Sequence, residues 1–597
     1  MSPQKDYPYS IFQMVFLKLK NKWFKKTYLD TARYCLGSAC IFFAYLFPYS
    51  EGGSSDALQQ IFALGMLSVA SLLFGLSAVT PLLTVALMGG VFLVMNTPNP
   101  YIGRQLAGIA GLMLVGLACH VGAYLRRKPD VLEWLLFSVA AAAFINAAEG
   151  LLQWFGLVGE LYRWVVEPER RGIAFGAFRQ TNLFATFLCV GAVCVSWLVH
   201  RQKLTEYMAW FLSLVLMFAV AASGSRTGML ELMALALLAL LWRKHHTPAV
   251  TRLMGGQLLL LGLAMLVLPV AADWHGFGFS SSLVRIAKTG QDARLEIWRD
   301  TLKMISERPW LGWGWRDMGY GHYVTLFNNR FDGLLDNAHN LFLQLSVEFG
   351  LPLTFLFFCA VLWIFYSAKP WKISSGAETN FINSDKQFSW IILLLIVGIH
   401  SMLEYPLWYA EFLFLAGIFF GYLLPVTEPI FIILSEKYKI WSRCMASLSA
   451  LILLFLALMA WQQYAKVLLI YKIPFAENKS ERIASTIFAI DNASDAWMFR
   501  EHVDAARLGL TVVTPQNAHE VRQSAEKLLH FSAEPKVIEP LLASLGYLND
   551  EEAWLFHAKR FCQAFPSEFQ RWYQANSDRL TWHLAEQLPQ ACRPIMP

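Results

Sequence analysis

Apolar stretches of similar length recur along most of this chain, separated by short polar joints. They run at about 34–50, 58–77, 79–95, 104–125, 131–155, 180–199, 207–223, 226–242 and 254–272, then at about 338–367, 388–404, 407–424 and 444–464. Each approaches the roughly 20 residues a helix needs to cross a hydrocarbon layer. The pattern predicts an all-α polytopic membrane protein with about 13 transmembrane helices. Two departures interrupt the rhythm. A polar insert at 273–337 is far longer than a connection requires, and long structured loops carry function. After about residue 466 hydropathy collapses, and Ala-rich segments around 496–508, 516–530, 538–546 and 550–563 predict a helical tail, with a weak two-helix spacing reminiscent of a TPR-like array. The expected organisation is a basic leader over 1–33, a membrane domain over 34–465 that includes the loop 273–337, and a helical domain over 466–597.

Charge gives the orientation. Lys18, Lys20, Lys22, Lys25 and Lys26 precede the first apolar run without a cleavage-site pattern, which reads as a cytoplasmic leader and not a removed signal. Arg126-Arg127-Lys128, Arg201 with Lys203, Arg243-Lys244, Lys369 with Lys372, and Lys437 with Lys439 fall on one side, whereas the loops 51–57 and 96–103 carry no Lys or Arg. The positive-inside rule puts the N-terminus in the cytoplasm, and an odd helix count puts the insert and the tail outside. Composition agrees: the chain of 597 residues is 56% hydrophobic and 15% charged, too apolar for a soluble enzyme. The net charge of +6 resides mainly in short loops, so a nucleic-acid role is excluded. Of nine cysteines only Cys562 and Cys592 lie in the tail, where they could pair in an oxidising compartment.

Candidate chemistry gathers on the outer face. Asp336 is placed to cap the helix that opens the run 338–367, which would set His339 in its first turn, neutral beside the positive end of the helix dipole and able to accept a proton. Around it stand Arg179 beside Gln180 and Asn182, Arg226 in a near-loopless turn, Arg294 and Trp298 on an expected amphipathic helix from Asp292 to Ser306, and the short turn Glu404-Tyr405-Pro406. An ionised Arg226 so close to the bilayer is either paired, with Glu231 for example, or used. Arg294 likewise has structural partners nearby in Glu296 and Asp292. Converging guanidiniums suit a multiply charged phosphate ligand. The insert also holds Arg285, Lys288, Arg299, Lys303, Arg308, Arg316 and Arg330, together with Trp310, Trp313 and Trp315, which read as interfacial anchors or as a surface for sugar rings. Neutral His and basic pocket together fit attack of an alcohol on a lipid diphosphate, already a good leaving group. No DxD-type or HExxH pattern occurs, so neither metal nor cofactor is expected.

The set Phe178-Arg179-Gln180-Thr181-Asn182, Ser225-Arg226, Arg294-Leu295-Glu296-Ile297-Trp298, Pro309-Trp310-Leu311-Gly312-Trp313-Gly314 and Ala338-His339-Asn340-Leu341 resembles the O-antigen ligase superfamily, most of all its bacterial pilin O-oligosaccharyltransferase branch. The resemblance is best over roughly 170–425, and Thr181 departs from the proline its pattern carries. It implies a GT-C-like fold in the bacterial inner membrane, with a periplasmic active site and helical periplasmic tail. The implied reaction moves a glycan en bloc from an undecaprenyl-diphosphate-linked oligosaccharide to a Ser or Thr of a pilin or other periplasmic protein. By position, His339 matches the family's essential histidine, and Arg226 and Arg294 match its diphosphate-binding arginines. Arg179 joins them as a further diphosphate ligand by neighbourhood, as Gln180, Asn182, Trp298 and Tyr405 do as substrate contacts. Two alternatives stay open: ligation or polymerisation of lipid-linked O-antigen, and a transporter or flippase. The outer tail favours a protein acceptor. The one-sided charge, few acidic residues within spans (Glu149, Glu231, Glu411) and lack of an internal repeat count against transport.

Overall fold

The computed structural model describes residues 11–49, 56–279, 293–370, 377–424, 436–472 and 479–576, with Leu588 and Cys592. Arg285, Lys288, Asp292 and Lys372 lie outside the described residues. Those described are helical, without strands. Eight helices are long and apolar enough to span a bilayer: Ala57–Phe74 (α2), Ile102–Leu125 (α4), Pro129–Phe155 (α5), Thr181–His200 (α6), Glu206–Ser223 (α7), Pro248–Trp274 (α9), Leu351–Ala368 (α13) and Glu436–Tyr471 (α16). The chain is a multi-pass membrane protein. Shorter apolar helices fill other runs, Pro81–Met95 (α3), Arg226–Leu241 (α8) and Ala410–Leu423 (α15). The run at 34–50 falls in a helix that begins much earlier, Ile11–Ala44 (α1), and the run at 388–404 is Ala377–Leu393 (α14) extended by a π-turn and a 3₁₀ turn to Met402.

One expected helix is two. The run 338–367 breaks at Gly350, between Leu341–Phe349 (α12) and α13. Gly350 has φ +84°, and a Cβ there would stand 2.2 Å from the Trp310 carbonyl, so only glycine admits this approach. Pro352 then starts α13, where its missing N–H is harmless. Into the break docks the Trp-rich loop: Leu351 donates to the Pro309 carbonyl at 2.8 Å, Trp313 to Val347 at 2.7 Å and Gly314 to Glu348 at 2.9 Å.

Small residues bring the central helices together. Helix α6 is buried all round, with Gly191 against Ala143 of α5. Helices α4 and α15 meet backbone to backbone: a Cβ on Gly421 would lie 2.3 Å from the Cys119 carbonyl, and one on Gly122 only 1.9 Å from that of Ile418. Such small-residue crossings are how membrane helices gain packing without a hydrophobic drive between them. Because α15 follows the 403–409 turn directly, this clamp fixes where the turn sits. At the opposite end of the bundle Arg201 joins Glu133 at 3.2 Å and Asp385 at 3.0 Å, a buried anchor among the basic joints.

The insert contributes Ala293–Glu307 (α10), as its pattern predicts, and Met318–Val324 (α11). Asp300 ties them, accepting from His322 at 3.2 Å, from Arg299 at 3.0 Å and from the Phe331 amide at 2.7 Å. Burial works to raise its carboxyl, but these partners outweigh it and hold it below its usual range. Burial pushes His322 down to about 4. Trp313 is buried and donates to the Met304 carbonyl at 3.1 Å, and Trp315 donates to Arg104 at 3.0 Å; Trp310, 76% exposed beside Leu311 at 84%, fits an interfacial anchor.

The tail is a succession of packed helices: Lys479–Asn492 (α17), Arg500–Leu510 (α18), Ala518–Leu529 (α19), Pro535–Tyr547 (α20), Glu551–Ala564 (α21) and Pro566–Asn576 (α22). It docks on the insert. Tyr101 and Tyr323 lie in its apolar core, Tyr323 meets His557 at 2.9 Å, and Arg560 donates to the Val324 carbonyl at 2.7 Å. Cys562 and Cys592 form a disulfide with Cα atoms 5.7 Å apart, closing a separation of 30 residues. A loop of that length corresponds to roughly 3–4 kcal/mol in the chain-entropy picture. Cys562→Ser should therefore lower the thermal midpoint of the tail by several degrees under non-reducing conditions. An unchanged midpoint would show the crosslink to be energetically idle.

Candidate functional site

His339 precedes its helix instead of lying in it. Asn340, not Asp336, is the N-cap, its Oδ1 accepting from the Leu343 amide at 3.1 Å. Asp, Asn and Asn at 336, 337 and 340 are all good caps, and the last wins because its own Nδ2 also donates to the Met402 carbonyl at 3.1 Å, tying helix start to the 403–409 turn. His339 itself adopts φ +49°, a left-handed conformation costing a side-chain-bearing residue about 1–2 kcal/mol. Its surroundings hold it there. The His339 amide donates to Asn337 Oδ1 at 2.7 Å, and Ala338 is gripped on both sides, by Gln344 Oε1 at 2.8 Å and by Trp298 Nε1 at 3.0 Å.

At the centre is Glu404. Its Oε2 accepts from His339 Nδ1 at 2.7 Å, while Oε1 accepts from Arg294 Nη2 at 2.7 Å and Asn182 Nδ2 at 3.2 Å. Arg294 Nε also donates to the Leu403 carbonyl at 3.0 Å. Asn182 in turn accepts from Ser225 Oγ at 2.7 Å, and Ser225 caps α8 through the Gly228 amide at 3.1 Å, so the helix bearing Arg226 at its first position is joined to the same network. Glu231 sits deeper in α8 and accepts from Thr186 at 2.7 Å. Tyr405 lies edge-on to His339, ring centroids 5.1 Å apart. With Nδ1 donating to Glu404, Nε2 keeps its lone pair and is the basic nitrogen.

Thus His339, Arg294, Asn182 and Tyr405 meet around one carboxylate, with Trp298 bracing the backbone beside His339. Gln180 stands at the start of α6, its Oε1 buried without a hydrogen-bond partner among the described residues. Arg179 precedes it at φ +58°, exposed and making no hydrogen bond or ion pair among the described residues. The residue at the hub of these contacts that sequence reasoning left unassigned is Glu404. Its signal was a lone carboxylate in a very short turn between two apolar helices, a costly placement unless it is used.

Burial alone would raise the Glu404 carboxyl, but the His339 ring and the Arg294 guanidinium more than offset this and hold it below the ordinary carboxylate range. Such a group adds stability that is complete above the unfolded value of about 4.3 and fades as pH falls through the lower folded value. Arg294→Gln removes one of the two stabilisers and moves the folded value up toward the unfolded one, so the variant should be less stable at neutral pH yet lose less stability on acidification than the wild type. Denaturation midpoints from about pH 7 down to about pH 3 test this, and parallel curves for the two proteins would reject it.

Two family descriptions match the chain in order. "O-Antigen ligase" covers residues 210–358, and "Virulence factor membrane-bound polymerase, C-terminal" covers residues 389–579. Among characterised proteins, the chain is 27% identical over 300 residues to the General O-oligosaccharyltransferase of Acinetobacter baylyi, covering 48% of this chain and 49% of that one. It is 24% identical over 300 residues to the ComP-specific O-oligosaccharyltransferase of the same species, covering 49% and 50%. To the O-antigen ligase of Pseudomonas aeruginosa it is 30% identical over 266 residues, covering 43% and 54%. The chain thus spans about half the length of the curated relatives it matches. The ligase match carries Arg226, Arg294 and His339, the polymerase match carries Glu404, and the relatives include two O-oligosaccharyltransferases beside an O-antigen ligase: together these findings support the O-antigen ligase superfamily for this chain.

Proposed function

We propose that this protein is an O-oligosaccharyltransferase that moves a glycan from undecaprenyl diphosphate to Ser or Thr hydroxyls of a pilin-like protein on the periplasmic side of the inner membrane. The observation that carries the reading is the His339–Glu404–Arg294 constellation, an imidazole and a guanidinium held by the two oxygens of one carboxylate. In the reaction the acceptor hydroxyl approaches the anomeric carbon while His339 Nε2 takes its proton. The new C–O bond forms as the bond to the diphosphate oxygen breaks, and that oxygen leaves with its electron pair as the diphosphate anion. Arg226, Arg294 and the exposed Arg179 stabilise the departing charge. Gln180 Oε1 is a ready acceptor for a sugar hydroxyl, and Asn182, Trp298 and Tyr405 line the approach. None of these steps calls for a metal or cofactor.

The periplasmic placement draws support from the basic joints gathered at the end of the bundle opposite His339 and from the Cys562–Cys592 disulfide, a bond suited to an oxidising compartment. The tail docked beside the site favours a protein acceptor, whereas the likeness to an O-antigen ligase keeps a lipid-glycan acceptor as the second reading. Expression in a host that supplies a lipid-linked glycan, a candidate pilin and lipid A-core decides between them. A glycan mass on the intact pilin supports the first. O-antigen restored on lipid A-core with every pilin unmodified would move the function to ligation.

A further inference from the structure

Six non-glycine residues among those described have positive φ, and three stand at or beside this site: Arg179, His339 and Arg316. Left-handed backbone outside glycine is uncommon and gathers at functional sites. His339 has an assigned part, and Arg179 lies in the segment already placed at the diphosphate. Arg316, on the Trp-rich loop, has none.

Its environment is built to hold it. The Arg316 amide donates at 2.9 Å to Glu348 Oε1, a carboxylate only 1% exposed, while Arg104 Nη1 grips the Arg316 carbonyl at 3.2 Å. The loop is further fixed by its backbone bonds into the break at Gly350. The strain at φ +60° is therefore imposed from both sides, and what it presents is a half-buried guanidinium 4.2 Å from the ring centroid of Trp408. That guanidinium makes no hydrogen bond or ion pair among the described residues. Trp408 lies 5.4 Å from Tyr405, and Tyr405 lies 5.1 Å from His339. A shelf of two aromatic rings thus leads from His339 and ends in a guanidinium that feels the buried Glu348 through space but makes no direct ion pair among the described residues.

Diphosphate binding does not absorb this cation. Arg294 is held at Glu404 and Arg226 is joined to it through Ser225 and Asn182, whereas Arg316 is two ring contacts removed from His339. At that remove from the reacting carbon a donor glycan would present its second sugar. Aromatic faces suit the apolar faces of sugar rings, and a guanidinium suits a carboxylate in a two-pronged hydrogen bond. Arginine already stacked on an indole loses little freedom in making it. We infer that Arg316, with Trp408 and Tyr405, is a specificity subsite for a carboxylate-bearing sugar near the reducing end of the transferred glycan. The assignment rests on the transferase reading for its role in turnover, but the subsite itself is a binding property.

The test uses the full chain in detergent and two polyprenyl-diphosphate disaccharides that differ only at the second sugar, glucose in one and glucuronate in the other. Donor binding and transfer to an acceptor peptide are measured separately. The wild type should prefer the glucuronate donor by roughly ten- to a hundredfold, as expected for one charge-assisted pair. Arg316→Gln should bring that ratio close to one, and Arg316→Lys should restore part of it. A wild type that does not discriminate, or an Arg316→Gln protein that weakens both donors by the same factor, overturns the subsite and leaves a structural stack. A preference that follows acidic residues in the acceptor peptide instead also overturns it. Discrimination in binding without transfer of either donor would retain the subsite and reject the transferase reading.

Discussion

His339→Ala is expected to abolish detectable glycan transfer while leaving the protein in the membrane and able to bind lipid-linked donor. A positioned general base contributes about 10²- to 10⁴-fold, and no other imidazole is bonded to the Glu404 carboxylate among the described residues. The donor site should survive, because Arg294 keeps both of its contacts with the 403–404 turn and Asn340 still ties that turn to the start of α12. Alanine, however, tolerates φ +49° poorly, so part of its effect could arise from a shifted backbone. His339→Asn separates the two, since asparagine adopts the left-handed region readily but cannot take up a proton. Both variants should be inactive by intact mass of the acceptor at equal membrane level, and the Asn variant should match the wild type in donor binding. Transfer by the Asn variant within tenfold of wild type would mean that His339 is structural.

Much of this site was legible in the sequence because its members are chemically conspicuous where they stand. Arginines at 179, 226 and 294 and a histidine at 339 are each expensive beside an apolar run, which makes each worth explaining even alone. What the sequence does not carry is who meets whom. Glu404 lies 65 positions from His339 and 110 from Arg294, and only the crossing of α4 on α15 brings its turn to both. The nearer carboxylates Glu296 and Asp292 were the natural local partners for Arg294, as Asp336 was the natural cap for the helix after it. Arg294 has a tertiary carboxylate that local spacing does not reveal, and at the cap a tertiary contact overrode the local rule. The break at Gly350 was hidden within a mostly apolar run, although Gly350-Leu351-Pro352 is a helix stop followed by a helix start. Arg316 was hidden differently, as one of many basic residues in a loop. Its distinction is conformational, and nothing in composition reveals a φ angle.

Glu404→Gln should be nearly as damaging as loss of the histidine, by about 10²- to 10⁴-fold in kcat, for a reason that lies in hydrogen-bond direction. The carboxylate accepts from three donors at once, His339, Arg294 and Asn182. A glutamine of the same shape offers one accepting oxygen and one donating amide. If the amide faces Nδ1, the ring proton must move to Nε2, and the basic nitrogen is lost. If instead the oxygen faces Nδ1, the amide points at the Arg294 guanidinium and loosens the cation proposed for the diphosphate. The first arrangement lowers kcat and the second raises the donor KM, so the split between the two constants reports which one the variant adopts. Glu404→Asp keeps the charge but is one methylene short, and should recover donor affinity better than turnover. Because Glu404 acts on the chemistry through His339, the two losses must overlap. The Glu404→Gln, His339→Asn double variant should be no slower than the His339→Asn single variant, whereas independent roles would multiply. Multiplicative losses, or a Glu404→Gln protein within threefold of wild type, would separate Glu404 from the base and reduce it to an anchor for the turn.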